Sequence, residues 1–519
     1  MKRFILLLLS VIFILTSCNG ATDIAQSVAI DTAITADQTA PDTDDIGVND
    51  VKDDKTDEEK EEEKEEEKEE PEPEEILVGK RILSPMFMSH MVLQRDKEIT
   101  VFGTGTGTGS VTLGSVTKTF TAVNNSWEVV FDAMPYTAEP VTFEAELGES
   151  KQVLVDVVIG DVYLASGQSN MDLKLKDTEQ SVSGAYASKL IRFKNRDVYS
   201  WKRFTKENTQ ELSAVATLFA INLEKSLKDE IPIGIISAAV GASRIERWTS
   251  AEYANKAPYA TLAGVDNSTH DCWEKYITPF VKFEVAGVLW YQGESNRKIE
   301  VANSYYQLFE NMVACWRDAF GCEDLPFYTV QIMLFSGNKD TDRAEHEIRI
   351  AQWKAAMNMK NVTLCTLLSL KDTLTEDGAL DIHPPDKQPI ADALSNAVLS
   401  TYYTPRGEYD KTPEYSGPLC SGVSVSGNVA TVSFDHVGDG LMLTGTRTYV
   451  REMEIMLSDG KWVTTENAVI VGNTVVITVE QGETILGVRL GYCNQPTLNL
   501  FNSLNGKSNY CVSPFIWTA

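Results

Sequence analysis

Ser169 stands where an apolar run stops. In "VYLASGQSNMD", residues 162–172, a strand-like stretch gives way to a small, polar corner of Gly167, Gln168, Ser169 and Asn170. A serine hydroxyl is a weak nucleophile until a neighbouring base takes its proton, so the chain must also supply that base. It has five histidines. His90 sits among short strands, His270 in a polar stretch, His346 inside a helix-like segment and His436 in a late loop. His383 differs: in "LDIHPPDKQ" it follows the last strand-like run of the central segment and precedes a helix, and Pro384 and Pro385 fix it on a rigid, non-helical loop. Asp381, two residues earlier, is close enough in sequence to orient an imidazole. Two more apolar runs end in polar loops. "VAGVLWYQGESN" (285–296) offers the Gln292 amide as a donor to an oxyanion, and "IPIGIISAAVGASRIERW" (231–248) offers the backbone N–H of Gly241. The histidines are scattered with no H-x-x-x-H pair, so neither a metal nor another cofactor is expected.

These four loops need a scaffold that brings strand ends together. From about 156 to 403 the pattern alternates, with apolar runs at 162–166, 234–240, 285–290, 326–333 and 363–369. Helical spacing falls between and after them. Tyr305, Leu308, Phe309, Met312, Val313 and Trp316 share one face of 303–320, and Ile390, Ala391, Leu394, Ala397 and Val398 share one face of 387–402. Such alternation predicts a parallel sheet covered by helices on both sides, with ligands beyond the carboxyl ends of its strands. Residues 76–155 read as a small β domain, in which Trp127, Val129 and Phe131 point one way. Residues 404–519 read as a β-sandwich-like domain with two Gly-Asn hairpin turns, in "VSVSGNVATVSF" and "AVIVGNTVVITVE".

Before these lies a different kind of chain. Lys2 and Arg3 precede the apolar "FILLLLSVIFIL", and the run closes at Leu15-Thr16-Ser17-Cys18, the form of a lipoprotein signal whose Cys18 is lipidated. Residues 19–75 read as a tether. Within 41–75, 20 acidic residues face five lysines, with almost nothing apolar to bury. The formal charge of −29 argues against nucleic acid as a partner. The expected location is the exported face of a bacterial envelope, with contact to a membrane only through the lipid. Seven cysteines remain after Cys18; without C-x-x-C spacing they are expected to form at most one or two disulfides, the others acting as small buried apolar groups.

The four loops taken together resemble the SGNH hydrolases, and more closely their sialate O-acetylesterase-like branch of carbohydrate esterases. "SPMFMSHMVLQRDKEITVFG", "GQSNM", "WYQGESN", "DIHPPDK", "NAVIVGNTVVI" and the late "SPF" carry the resemblance, over most of 78–518. It implies a flavodoxin-like three-layer α/β/α domain with a parallel sheet, flanked by N- and C-terminal β domains. It also implies Ser169 as nucleophile, His383 as general base and acid, Asp381 as the group orienting the imidazole, and an oxyanion hole of the Ser169 N–H, the Gly241 N–H and the Gln292 side chain. The implied substrates are O-acetylated sugars, sialic acids first. Gln168, Asn170, Glu294 and Asn296 are candidate substrate contacts, and Arg244, Arg247 and Arg297 candidate partners for a sialic acid carboxylate. Acetyl-xylan or another acetylated polysaccharide is the alternative substrate, and a non-catalytic glycan-binding lipoprotein the alternative role. The sequence departs from the branch in three places. Asp-x-His replaces Asp-x-x-His, leaving Asp377 as the nearest other carboxylate upstream. Gly241-Ala242-Ser243 replaces Gly-Gly-Thr. Gln292 stands where other SGNH enzymes use Asn, with Asn296 as the second candidate. Met171 also removes the last glycine of a Gly-x-Ser-x-Gly elbow.

Overall fold

The computed structural model describes residues 75–196, 200–335, 343–368 and 380–519. The signal with Cys18, the acidic tether up to residue 74 and Asp377 lie outside the described residues.

The strand that leads to Ser169 is long. It runs Ser150–Gly167 (β1), and its second half is buried at every position, as a strand covered on both faces must be. Its first half pairs antiparallel with Thr137–Leu147. Its second half is flanked by parallel strands, so the position expected to divide two domains, 155/156, falls inside one strand. The other strands are Ser188–Asn195 (β2), Trp201–Phe204 (β3), Ile233–Ala239 (β4), Gly287–Tyr291 (β5), Phe327–Val330 (β6) and Val362–Cys365 (β7). Their order is β3-β2-β4-β1-β5-β6-β7, parallel except where β3 pairs with β2. The chain builds one side of β1, then crosses to the other between β4 and β5. That reversal is where an open α/β sheet forms a crevice.

Register makes the crevice level. Gly167 pairs with Ala239 on one side and with Tyr291 on the other, so three strand ends form one row. Glycine is required at 167. Its φ is +130°, and a Cβ there would lie 2.1 Å from the Tyr291 carbonyl oxygen.

Helices of the expected spacing appear within 303–320 and 387–402. Ser169–Asp172 forms the short α1, Ala214–Ser226 α2, Tyr305–Ala319 α3, Ala344–Asn358 α4 and Gln388–Val398 α5. Alternate strand residues bury into different clusters. Val162, Leu164, Val288 and Trp290 pack with Leu308, Met312 and Trp316 of α3. Tyr163, Ala165, Leu289 and Tyr291 pack with Phe219 of α2 and Leu394 of α5. Each such large apolar side chain contributes roughly 1.5–3 kcal/mol of transfer free energy.

The C-terminal strands, between Leu419 and Thr518, form antiparallel sheets over a third cluster. Both Gly-Asn turns are hairpins, joining Leu419–Ser426 to Val429–Asp435 and Ala468–Val471 to Thr474–Thr478. All seven described cysteines are free thiols, and Cys272, Cys315, Cys365, Cys420 and Cys511 are buried as small apolar groups. No helix among the described residues is long and apolar enough to cross a membrane.

One polar knot ties the N-terminal strands to the sheet. Asp161 on β1 is fully buried and accepts from Gln94 Nε2, Arg95 Nε, Tyr402 Oη and Tyr403 Oη at 2.9–3.0 Å. Arg95 also donates to Glu408 at 2.8 Å. Removing one partner of a buried pair leaves the other charged and unpaired, a loss of about 3–5 kcal/mol. Asp161→Ala is therefore expected to lower the apparent unfolding free energy by about that amount, measured by urea denaturation.

Candidate active site

The crevice beyond β1, β4 and β5 is open, with a volume of about 560 Å³, and Ser169, Gly241 and His383 all line it. Residues 214 apart in sequence meet there: Ser169 Oγ lies 2.7 Å from His383 Nε2. Gly241 stands beside them. A Cβ built on it would be 4.0 Å from Ser169 Cβ. Among the described residues, neither the Ser169 N–H nor the Gly241 N–H has a hydrogen-bond acceptor. A hydroxyl on an imidazole, with two unclaimed N–H groups alongside, is the arrangement that acyl transfer needs.

Loop-to-loop bonds hold this geometry. Asn170, next to the serine, is 1% exposed. Its Nδ2 donates to the Ile382 carbonyl at 3.0 Å and to Glu294 Oε1 at 2.6 Å, and its Oδ1 accepts from Lys387 Nζ at 2.6 Å. One side chain thus binds the serine corner to the histidine loop and to the loop after β5. Glu179 N–H donates to the Pro385 carbonyl, and Gln180 bonds both Asp386 and the Lys387 N–H.

Several sequence-predicted residues play other parts than expected. Asn170 is buried with both amide hydrogens in use, and it does not line the crevice. Gln292 is fully buried and does not line the crevice. Its Nε2 donates to Gln168 Oε1, Ser243 O and Asn296 Oδ1 at 2.8–3.1 Å, and its Oε1 accepts from Tyr305 Oη at 2.7 Å. The amide expected at the oxyanion braces the loops from beneath. Asn296 is likewise turned inward, accepting from the Ile245 N–H and donating to Glu246. Asp381 accepts from the backbone N–H of His383 at 2.8 Å, and among the described residues no carboxylate accepts from His383 Nδ1. Arg247 turns away to a bidentate pair with Asp271. Gln168, Glu294, Arg244 and Arg297 do line the crevice. Arg244 pairs with Glu246 at 2.7 Å, whereas Arg297 is exposed, its guanidinium 5.6 Å from the Phe335 ring centroid.

Lys387 was missed by sequence reasoning, because a lysine beside a helix start normally reads as solvated. Here it is fully buried. Burial lowers its pKa to about 8, opposed by the charges of Glu294, Asp381 and Asp386. Burial raises Glu294, opposed by its hydrogen bonds and by Lys387. Burial and then the Lys387 charge depress His383, opposed by Asp381.

Comparisons with known proteins agree with this picture. A sequence model of the family described as "Carbohydrate esterase, sialic acid-specific acetylesterase" matches residues 159–380, which hold Ser169, Gly241 and Gln292. The human sialate O-acetylesterase is 29% identical over 392 residues, 63% of this chain and 71% of its own. The mouse sialate O-acetylesterase is 28% identical over 453 residues, 72% of this chain and 80% of its own. A carbohydrate acetylesterase from Xanthomonas citri superposes with a TM-score of 0.72 at 26% identity, covering 84% of this chain and 99% of its own. The protein is an esterase, and its matched region is similar to carbohydrate esterases. Its sequence is similar to those of sialate O-acetylesterases, and its fold to that of a carbohydrate acetylesterase.

The depressed His383 pKa has a direct readout. Its imidazole is expected to become half-protonated below the ordinary value of about 6.5. Lys387→Met, which removes a cation that opposes protonation, is expected to move that midpoint upward. An NMR titration of the imidazole signals checks both the position and the sign.

Proposed function

We propose that the protein removes O-acetyl groups from carbohydrates, sialic acids foremost, through Ser169 and His383 on an SGNH-type three-layer α/β/α domain. The observation that carries this reading is the 2.7 Å contact between Ser169 Oγ and His383 Nε2 at the carboxyl ends of parallel strands. Ser169 Oγ attacks the acetyl carbon as its proton passes to His383 Nε2. The Ser169 and Gly241 N–H groups hold the resulting oxyanion. His383 then protonates the departing sugar oxygen, leaving an acetyl-serine. Water, deprotonated by His383, attacks that ester and releases acetate and free Ser169.

Asp381 acts on the imidazole through charge and by holding the loop at the His383 N–H, without a bond to Nδ1. Gln292 acts from below by fixing Gln168, Ser243 and Asn296. The exposed Arg297 at the mouth is the favoured partner for a substrate carboxylate. The lipid-modified Cys18 and the acidic tether would let the catalytic part range over glycans near an envelope surface.

Ser169→Ala is expected to lower acetate release from O-acetylated sialic acid and from a chromogenic acetyl ester by more than about 10³-fold, with an unchanged thermal unfolding midpoint. Profiling wild-type acetate release on acetylated sialic acid, xylan and pectin fragments checks the substrate. Preference for xylan or pectin would move the assignment to polysaccharide deacetylation, and undiminished release by Ser169→Ala would remove the serine mechanism.

A further inference from the structure

A second cavity lies apart from the catalytic residues, between the N-terminal strands and the segment 275–282. Its volume is about 460 Å³, in the range of small-molecule sites, roughly 300–1,000 Å³. Four cations line it: Lys194, Arg196, Lys275 and Lys282. Among the described residues no Asp or Glu lines it. Concentrating cations at one concave place creates a local field for an anion.

The cations are held against aromatic walls. Lys194 Nζ lies 5.5 Å from the Phe280 ring centroid, Lys275 Nζ 5.1 Å and Arg196 5.9 Å from that of Tyr276, and Lys282 Nζ 5.6 Å from that of Phe102. Lys282 also pairs with Glu128, and Arg196 with Asp172 at 2.8 Å. Lys194 is 5% exposed, and burial lowers its pKa. Tyr276 belongs to the π-helical turn Trp273–Ile277, a backbone form found often at functional sites.

The cavity is linked to the catalytic crevice through one side chain. Asp172 closes α1, three residues after Ser169. One of its oxygens pairs with Arg196, and the other lies 4.0 Å from the Cβ position of Gly241.

We infer that this cavity is an accessory subsite for a carboxylate-bearing sugar unit. The cations take the carboxylate, and Phe102, Tyr276 and Pro279 supply apolar surface for the ring. The choice of a sugar as ligand rests on the carbohydrate-deacetylase reading; the anion preference rests on the cavity alone.

The test is calorimetric binding to the full chain carrying Ser169→Ala, using unacetylated trigalacturonate and neutral galactotriose. Trigalacturonate is expected to bind at least about tenfold more tightly, with an affinity that falls as salt rises. Adding Lys275→Gln and Lys282→Gln is expected to abolish that advantage. In the Ser169-containing chain the same two substitutions are expected to leave hydrolysis of 4-nitrophenyl acetate unchanged. Equal binding of the acidic and neutral sugars, or an advantage that survives the double substitution, overturns the inference. Failure of the esterase reading shows separately, as absent hydrolysis of 4-nitrophenyl acetate by the wild-type chain.

Discussion

The contact between Ser169 and His383 depends on backbone held in place from three directions. Flush strand ends at Gly167, Ala239 and Tyr291 fix where the serine corner, the Gly241 turn and the loop after β5 begin. Asn170 then fixes where the histidine loop ends up, because its amide holds the Ile382 carbonyl one residue before His383. A small error in either would separate a hydroxyl and an imidazole that must lie within hydrogen-bond reach for proton transfer. The Ser169–His383 pair can stay partly open because the residues that position it are buried.

That burial is electrostatically expensive. Lys387, Asn170 and Glu294 form a charged chain with almost no exposure, which reaches the crevice wall at Glu294. Such groups add little net stability compared with an apolar core, and removing one partner is damaging. Their value here is geometric and electrical. Asn170 allows an ammonium and a carboxylate to brace one position, and the Lys387 charge, within reach of His383, keeps the imidazole readily neutral. A neutral imidazole is the form that can accept the serine proton.

Much of this was legible in the sequence because it depends on residue types at fixed offsets. The apolar runs ending at 166, 240 and 290 mark strands that the fold contains, and the helical spacing in 303–320 and 387–402 marks α3 and α5. Ser169 and Gly241 stand directly after apolar runs, and His383 is the one histidine on a proline-fixed loop of the central segment. What could not be read is the direction of each loop side chain. Gln292 and Asn296 have the right chemistry for an oxyanion donor, but tertiary partners (Ser243 O, Gln168, Glu246) draw both inward. Arg247 flanks the same loop as Arg244, yet Asp271 turns it away. Lys387 carries no local sign of burial; its hydrogen-bond partner Asn170 and the charge of Glu294 come from more than ninety positions away. Periodicity likewise could not show that one strand, Ser150–Gly167, serves both the N-terminal β region and the catalytic sheet, since each half has its own apolar pattern.

The central claim is that Ser169 is the activated nucleophile and that His383 activates it. An active-site-directed fluorophosphonate, which reacts only with a serine whose proton is being removed, tests this directly when followed by peptide mass spectrometry. The account predicts one adduct per chain, on the peptide containing Ser169, and almost none in a His383→Ala chain that folds normally. An adduct on a different residue of a chain that still releases acetate, or undiminished labelling of Ser169 without His383, would contradict it.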